Sequence, residues 1–157
     1  MLYVKNENGE YIVAKRHDVL NEVRKHFNMR TKNGLVINNP QAIIPELQML
    51  LGDKITETFL AILVNNQNKI VGKIEFHGAE GECPVYPKNI IRKMLELGAT
   101  GAIVSHNHPT GKTKPSHSDN VITKKILESF LIMDLRLLDH IIVGANEHFS
   151  YTEHGLI

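Results

Sequence analysis

The run Ala102-Ile103-Val104-Ser105-His106-Asn107-His108-Pro109 joins a short apolar segment directly to two histidines that stand two residues apart. The segment Ala102–Ser105 reads as a buried strand. A strand has period two, so His106 and His108 leave the same face of it. Both imidazoles can then converge on one metal ion at about 2.0–2.1 Å. Pro109 ends the strand and turns the chain.

Downstream, a loop with Gly111 and two prolines runs to Pro115. Ser116 to about Phe130 reads as a helix, with Ser116 at its N-cap and Asp119 at the third helical position, the pattern of a capping box. Asp119 lies one turn into that helix, and a loop that folds back can bring its carboxylate to the two histidines. Two neutral nitrogens and one carboxylate form a three-ligand catalytic zinc site, with the fourth position left for water. The capping reading and the metal reading of Ser116–Asp119 are compatible. From composition, H-x-H-x7-S-x2-D arises by chance in about 5 of 10,000 such chains, which favours the metal reading over coincidence. Farther on, His140–Gly144 (HIIVG) reads as another buried strand and Phe149-Ser150-Tyr151 as a last edge strand.

Upstream, Pro87 starts a helix that runs to about Leu97 and is ended by Gly98. A loop with Gly78, Gly81 and Pro84 precedes it. Lys69–His77 alternates as a half-buried strand, after a polar turn at Asn65–Asn68 and a buried strand at Phe59–Asn65 (FLAILVN). Asn39-Pro40 opens a helix to about Leu51. Before it, Tyr3–Ala14 alternates around Asn8-Gly9, a hairpin signal. Asp18 can cap a helix to about Met29 with Val19, Leu20, Val23 and Phe27 on one face. The expected division is an N-terminal appendage over 1–34 and one domain over 35–157. The order β-β-α-β-α-β in the latter is that of a mixed α/β domain with helices packed on one sheet.

Length and composition agree with a single soluble globular domain of 157 residues, 42% hydrophobic and 22% charged. Cys83 is the only cysteine, so no intramolecular disulfide forms, which fits a reducing compartment. There is no apolar run of membrane-spanning length and no signal-like core at the N-terminus. The expected location is the cytoplasm, with no membrane partner. Net charge is +1 and the basic residues are scattered, so charge gives no support to a nucleic-acid partner.

The sequence resembles a known family. His106-Asn107-His108-Pro109, seven intervening residues, Ser116 and Asp119 match the JAMM motif of MPN-domain metalloproteases. The flanks HNHPTG, KPSHSD and Leu138-Asp139-His140-Ile141-Ile142-Val143-Gly144 are similar to the RadC branch, and the resemblance runs from about Asn38 to Ile157. Residues 1–34 do not resemble the helix-hairpin-helix module that often precedes this domain there. The resemblance implies a JAB/MPN-like fold, related to cytidine deaminases, with a central mixed sheet and flanking helices. It also implies Zn2+ on His106, His108 and Asp119, and a general base upstream. Carried over, that base falls on Glu57, in Glu57-Thr58-Phe59, with Glu75 in Ile74-Glu75-Phe76 as its rival.

The implied mechanism is amide hydrolysis of an unidentified protein or peptide. Zinc lowers the pKa of its water. Glu57 takes that proton and later gives it to the leaving amine, and Ser116 donates to the developing oxyanion. His140, beside Asp139, reads either as a support for the metal ligands or as a structural residue. Cys83 has no Cys-His signature around it. Two other readings compete: a zinc-binding module with a DNA-repair-associated or other non-peptidase role, and a structural zinc. Retention of Glu57 and Ser116 favours catalysis over the first. Only three protein ligands disfavours the second, since structural zinc is usually held by four.

Overall fold

A computed structural model describes residues 1–78 and 83–157; Gly81 of the expected loop lies outside them. The elements are β1 (Tyr3–Lys5), β2 (Tyr11–Val13), α1 (Arg16–Lys32), a 3-10 turn (Pro40–Ile43), α2 (Ile44–Leu51), β3 (Thr58–Val64), β4 (Ile70–His77), α3 (Pro87–Leu97), β5 (Gly101–Asn107), α4 (His117–Ile132), β6 (Arg136–Val143) and β7 (His148–Ser150). β1 and β2 pair as a hairpin, and the other five strands form one sheet in the order β4-β3-β5-β6-β7. Only β5 and β6 run parallel, joined through α4, so the sheet is mixed as expected.

β3 and β5 are buried along their whole length, which is why Phe59–Val64 and Ala102–Val104 are continuous apolar runs rather than alternating ones, while β5 ends in the buried polar residues Ser105, His106 and Asn107. Pleating divides their side chains between two layers. Leu60, Ile62, Val64 and Ile103 pack against Leu47 and Leu51 of α2 and Phe27 of α1. Phe59, Ala61, Ala102 and Val104 pack against Ile90 and Met94 of α3 and Ile126 and Phe130 of α4. β4, at the edge, keeps the predicted alternation, with Lys73, Glu75 and His77 exposed.

Several boundaries differ from the sequence reading, and four of these differences have a clear local reason. β6 starts at Arg136, four residues before the expected His140, because Arg136 and Leu137 pair with Gly101 and Ala102. The pairing then jumps from Ala102↔Leu137 to Ile103↔Asp139, leaving Leu138 as a bulge. β5 runs on through His106 and Asn107 because both are paired with β6. Asp18 is not the N-cap of α1; Lys15 is, and Asp18 at the third helical position accepts the Lys15 N–H at 2.8 Å. The hairpin loop spans Asn6–Glu10 rather than Asn8-Gly9 alone. Asn6 Oδ1 accepts the N–H groups of Asn8 and Glu10 at 3.0 and 2.9 Å, taking the place of ladder partners. Gly9 still supplies the left-handed turn residue, at φ +84°.

Candidate metal centre

β5 carries His106 to its last turn of pleat, where the ring is 1% exposed and stacks on Phe59 of β3 at 5.9 Å. His108 stands just past the strand, partly exposed. Ser116 caps α4 as predicted: its Oγ accepts the Asp119 N–H at 3.1 Å, and Asp119 Oδ2 accepts the Ser116 N–H at 2.7 Å. That reciprocal cap fixes the Asp119 carboxylate over the end of β5. Its Oδ1 lies 3.0 Å from His106 Nε2 and its Oδ2 3.1 Å from His108 Nε2, while the two Nε2 atoms are 3.0 Å apart. The three residues therefore present ligand atoms within 4.8 Å of one another, and they are the only such trio among the described residues.

The donor chemistry fits a metal ion. His108 Nδ1 lies 2.8 Å from the Lys112 carbonyl, which can only accept, so this nitrogen carries the proton. The lone pair of a neutral His108 is then on Nε2, facing the carboxylate. Lone pairs crowded at 3.0–3.1 Å repel unless a cation, a proton or a metal ion, sits among them. A tetrahedral zinc about 2.0–2.1 Å from each ligand would hold them about 3.3 Å apart, close to the observed spacing.

The electrostatics agree. Burial alone would raise the Asp119 carboxyl, but its hydrogen bonds with His106 and His108 hold it far below the usual carboxylate range. His108 is raised, first by its hydrogen bond with Asp119, against the opposing effect of burial. The wholly buried His140 is pushed well below its ordinary value, chiefly by desolvation and then by repulsion from His106.

Glu57 and Ser116 line one groove of about 1020 Å³ together with His108 and Asp119. Its apolar wall includes Phe59, Val85 and Ile122. Glu75 does not reach it: it pairs in register with Leu60 on the α2 side of the sheet and lies 3.1 Å from Lys73. Cys83 lines the groove, but burial pushes its thiol up and the Glu57 charge adds to this, so the reactive thiolate is disfavoured.

Two supporting residues, Asn107 and Thr123, were not legible as such, while the sequence reads His140 as either a support for the metal ligands or a structural residue. Asn107, between the two histidines, points to the opposite face. Its Oδ1 accepts the Thr58 N–H at 2.9 Å and its amide donates to the Lys54 and Thr56 carbonyls at 3.1 Å each. It thus ties down the backbone on both sides of Glu57. His140 Nε2 lies 2.8 Å from His106 Nδ1, and Thr123 Oγ1 lies 2.6 Å from His140 Nδ1. The spacing of Thr123, four residues after Asp119 and so on the same helix face, was the one available signal. Asn107→Ala leaves three backbone groups without their partner. We expect it to cost about 1–3 kcal/mol, read from the urea midpoint; an unchanged midpoint would show that the clamp is not holding the segment.

A family model described as RadC-like JAB domain matches residues 37–156. Among known proteins, the chain is 35% identical over 143 residues to a UPF0758 protein of Photobacterium profundum, covering 90% of this chain and 64% of the relative. It is 34% identical over 143 residues to a UPF0758 protein of a Janthinobacterium species, with the same coverage. A UPF0758 protein of Stenotrophomonas maltophilia is 38% identical over 121 residues, 76% of this chain and 52% of the relative. The chain thus spans less than two thirds of the length of these relatives.

Proposed function

The chain belongs to the RadC-like JAB domain family, and from that membership and the geometry of the centre we propose a zinc-dependent hydrolase of the metallopeptidase or isopeptidase type. The observation that carries the reading is the meeting of His106, His108 and Asp119, of which His108 and Asp119 line a groove that Glu57 and Ser116 also line. His106, His108 and Asp119 would hold the ion. Bound there, zinc would supply a Lewis acid and a water of lowered pKa. The fit of the residues rests on two imidazoles and one carboxylate, a donor set that leaves a position open.

The chain's own residues do the rest. Glu57, on the same groove, accepts a proton from the attacking water and returns it to the departing amine. The Ser116 hydroxyl uses a lone pair for the Asp119 N–H, so its proton remains available to a carbonyl oxygen that gains charge. Phe59, Val85 and Ile122 offer an apolar surface to the side chains flanking the scissile amide. The substrate is read as a peptide or protein segment because the groove is open and far larger than a water site.

The test is metal analysis with a screen of peptide and isopeptide cleavage on the zinc-loaded chain. Cleavage of at least one member, lost when zinc is removed, supports the proposal. A zinc-loaded chain that cuts nothing in the screen moves the reading to a non-peptidase role of the same centre. Salt-dependent DNA affinity in that sample would then favour a nucleic-acid partner.

Ser116 offers a separate check, because its two tasks respond differently to substitution. Ser116→Ala should lose about 0.5–2 kcal/mol as a lost N-cap and about 10²–10³ in turnover as a lost donor. Ser116→Asp should regain most of the cap, since Asp caps well. It should not regain turnover, because an ionised carboxylate donates nothing and repels an oxyanion. Thermal melting beside cleavage rate decides it. Recovery of both in the Asp form means that Ser116 is a cap only.

A further inference from the structure

We propose that Thr123 and His140 are positioning residues that fix the tautomer of His106, holding its Nε2 lone pair toward the metal position. The proposal rests on the zinc reading of the centre.

The Asp119 main-chain carbonyl accepts hydrogen bonds and cannot donate them. Thr123 Oγ1 lies 2.6 Å from it, one helical turn on, so the hydroxyl proton is committed there. The same hydroxyl oxygen lies 2.6 Å from His140 Nδ1. With its proton committed, Thr123 can only accept, so His140 Nδ1 carries the ring proton. The opposite tautomer would set two lone pairs against each other at that distance in a site without water access.

His140 is 0% exposed, with Tyr151 stacked on it at 4.9 Å and Phe59 at 5.6 Å, so the ring cannot turn to escape the constraint. Among the described residues no carboxylate hydrogen-bonds this ring. The neighbouring Asp139 spends its oxygens on Ser150 Oγ, the Thr152 N–H, its neighbour's own N–H and Gln41. His140 therefore offers an acceptor at Nε2. The atom 2.8 Å from it is His106 Nδ1, which must donate. An imidazole that donates through Nδ1 has its lone pair on Nε2, and His106 Nε2 is the atom that faces Asp119 and His108.

The relay begins and ends on Asp119. One turn of α4 thus provides a carboxylate ligand and, through its carbonyl, the acceptor that dictates how the neighbouring ligand is protonated. Orienting partners of this kind raise the affinity of a metal site by about 10–100-fold.

The experiment uses the full chain and zinc alone. Zinc affinity is measured by competition with a chromogenic chelator for wild type, Thr123→Val and Thr123→Ser. Ring-nitrogen NMR assigns the tautomers of His106 and His140. Thr123→Val keeps the shape and removes the hydroxyl, and it should weaken zinc binding by about 10–100-fold. Thr123→Ser should restore most of that loss, which a packing role would not produce. In wild type, His140 should carry its proton on Nδ1 with and without zinc, and in the zinc form His106 should be protonated on Nδ1. A proton on His140 Nε2, or a Val form that binds zinc like wild type, overturns the relay. If the Val form does not fold, the wild-type tautomers decide alone. A wild type that takes up no zinc overturns the zinc reading instead, while the His140 tautomer in the metal-free chain still decides the relay.

Discussion

Asp119→Ala is expected to purify without zinc and to bind it more than about 100-fold more weakly than wild type. A supporting residue outside the ligand set already contributes about 10–100-fold, and removal of a ligand should exceed that. His106→Ala should do the same. Both variants should stay folded, because the two apolar layers on either side of the sheet hold the domain without the centre. Asp119→Ala also loses its half of the capping box, at about 0.5–2 kcal/mol. The pH dependence has a definite sign. The partnership with Asp119 raises the His108 pKa above its ordinary value, so a proton competes with the metal over a wider range. Zinc affinity should fall as pH drops through that raised value and level off above it. In Asp119→Ala the fall should begin at lower pH, because its main cause is gone. Elemental analysis and chelator competition across pH measure all of this. Stoichiometric zinc in a chain that lacks both His106 and Asp119 would show that the ligands lie elsewhere.

The convergence of those three residues was open to reading because each follows from a short-range rule. His106 and His108 share a face by strand periodicity, and Ser116 with Asp119 announces the first turn of α4 by its capping pattern. The buried strands were equally plain, since a run such as Phe59–Val64 has few other uses. Residues whose partners are distant in sequence stayed hidden. Asn107 sits inside the histidine motif, yet it serves a backbone segment at Lys54–Thr58 about fifty residues away. The facing of His140 depends on the bulge at Leu138, and no periodicity predicts the extra residue that puts Asp139 on one side and His140 on the other. Thr123 looks like an ordinary helix residue until His140 is placed beside it. The hairpin shows the converse: Asn8-Gly9 carried a true turn signal, but the side chain of Asn6 captured two backbone donors and lengthened the loop.

Glu57→Gln should keep zinc at the wild-type level and lose cleavage by about 10² or more, the usual contribution of a general acid–base group. The carboxamide has the same shape but cannot take up a proton at neutral pH, so metal content separates lost chemistry from a lost site. Asn107 bonds the Thr56 carbonyl and the Thr58 N–H, so the backbone around residue 57 is held whichever side chain is present. A loss in rate would then reflect the missing base rather than a moved loop. Glu75→Gln is the control. Glu75 lies on the other face of the sheet with Lys73 and borders a separate cavity with Arg24, Lys54 and Leu60. Burial would raise its carboxyl, but Lys73 and Lys54 more than offset that and hold it low, so it is a poor proton carrier near neutrality. Rates for the two variants on one substrate, with zinc measured in each, decide the matter. If Glu75→Gln is inactive and Glu57→Gln is not, the base has been assigned to the wrong face. If both zinc-loaded variants cut at the wild-type rate, neither carboxylate moves the proton, and the groove must be searched for another group.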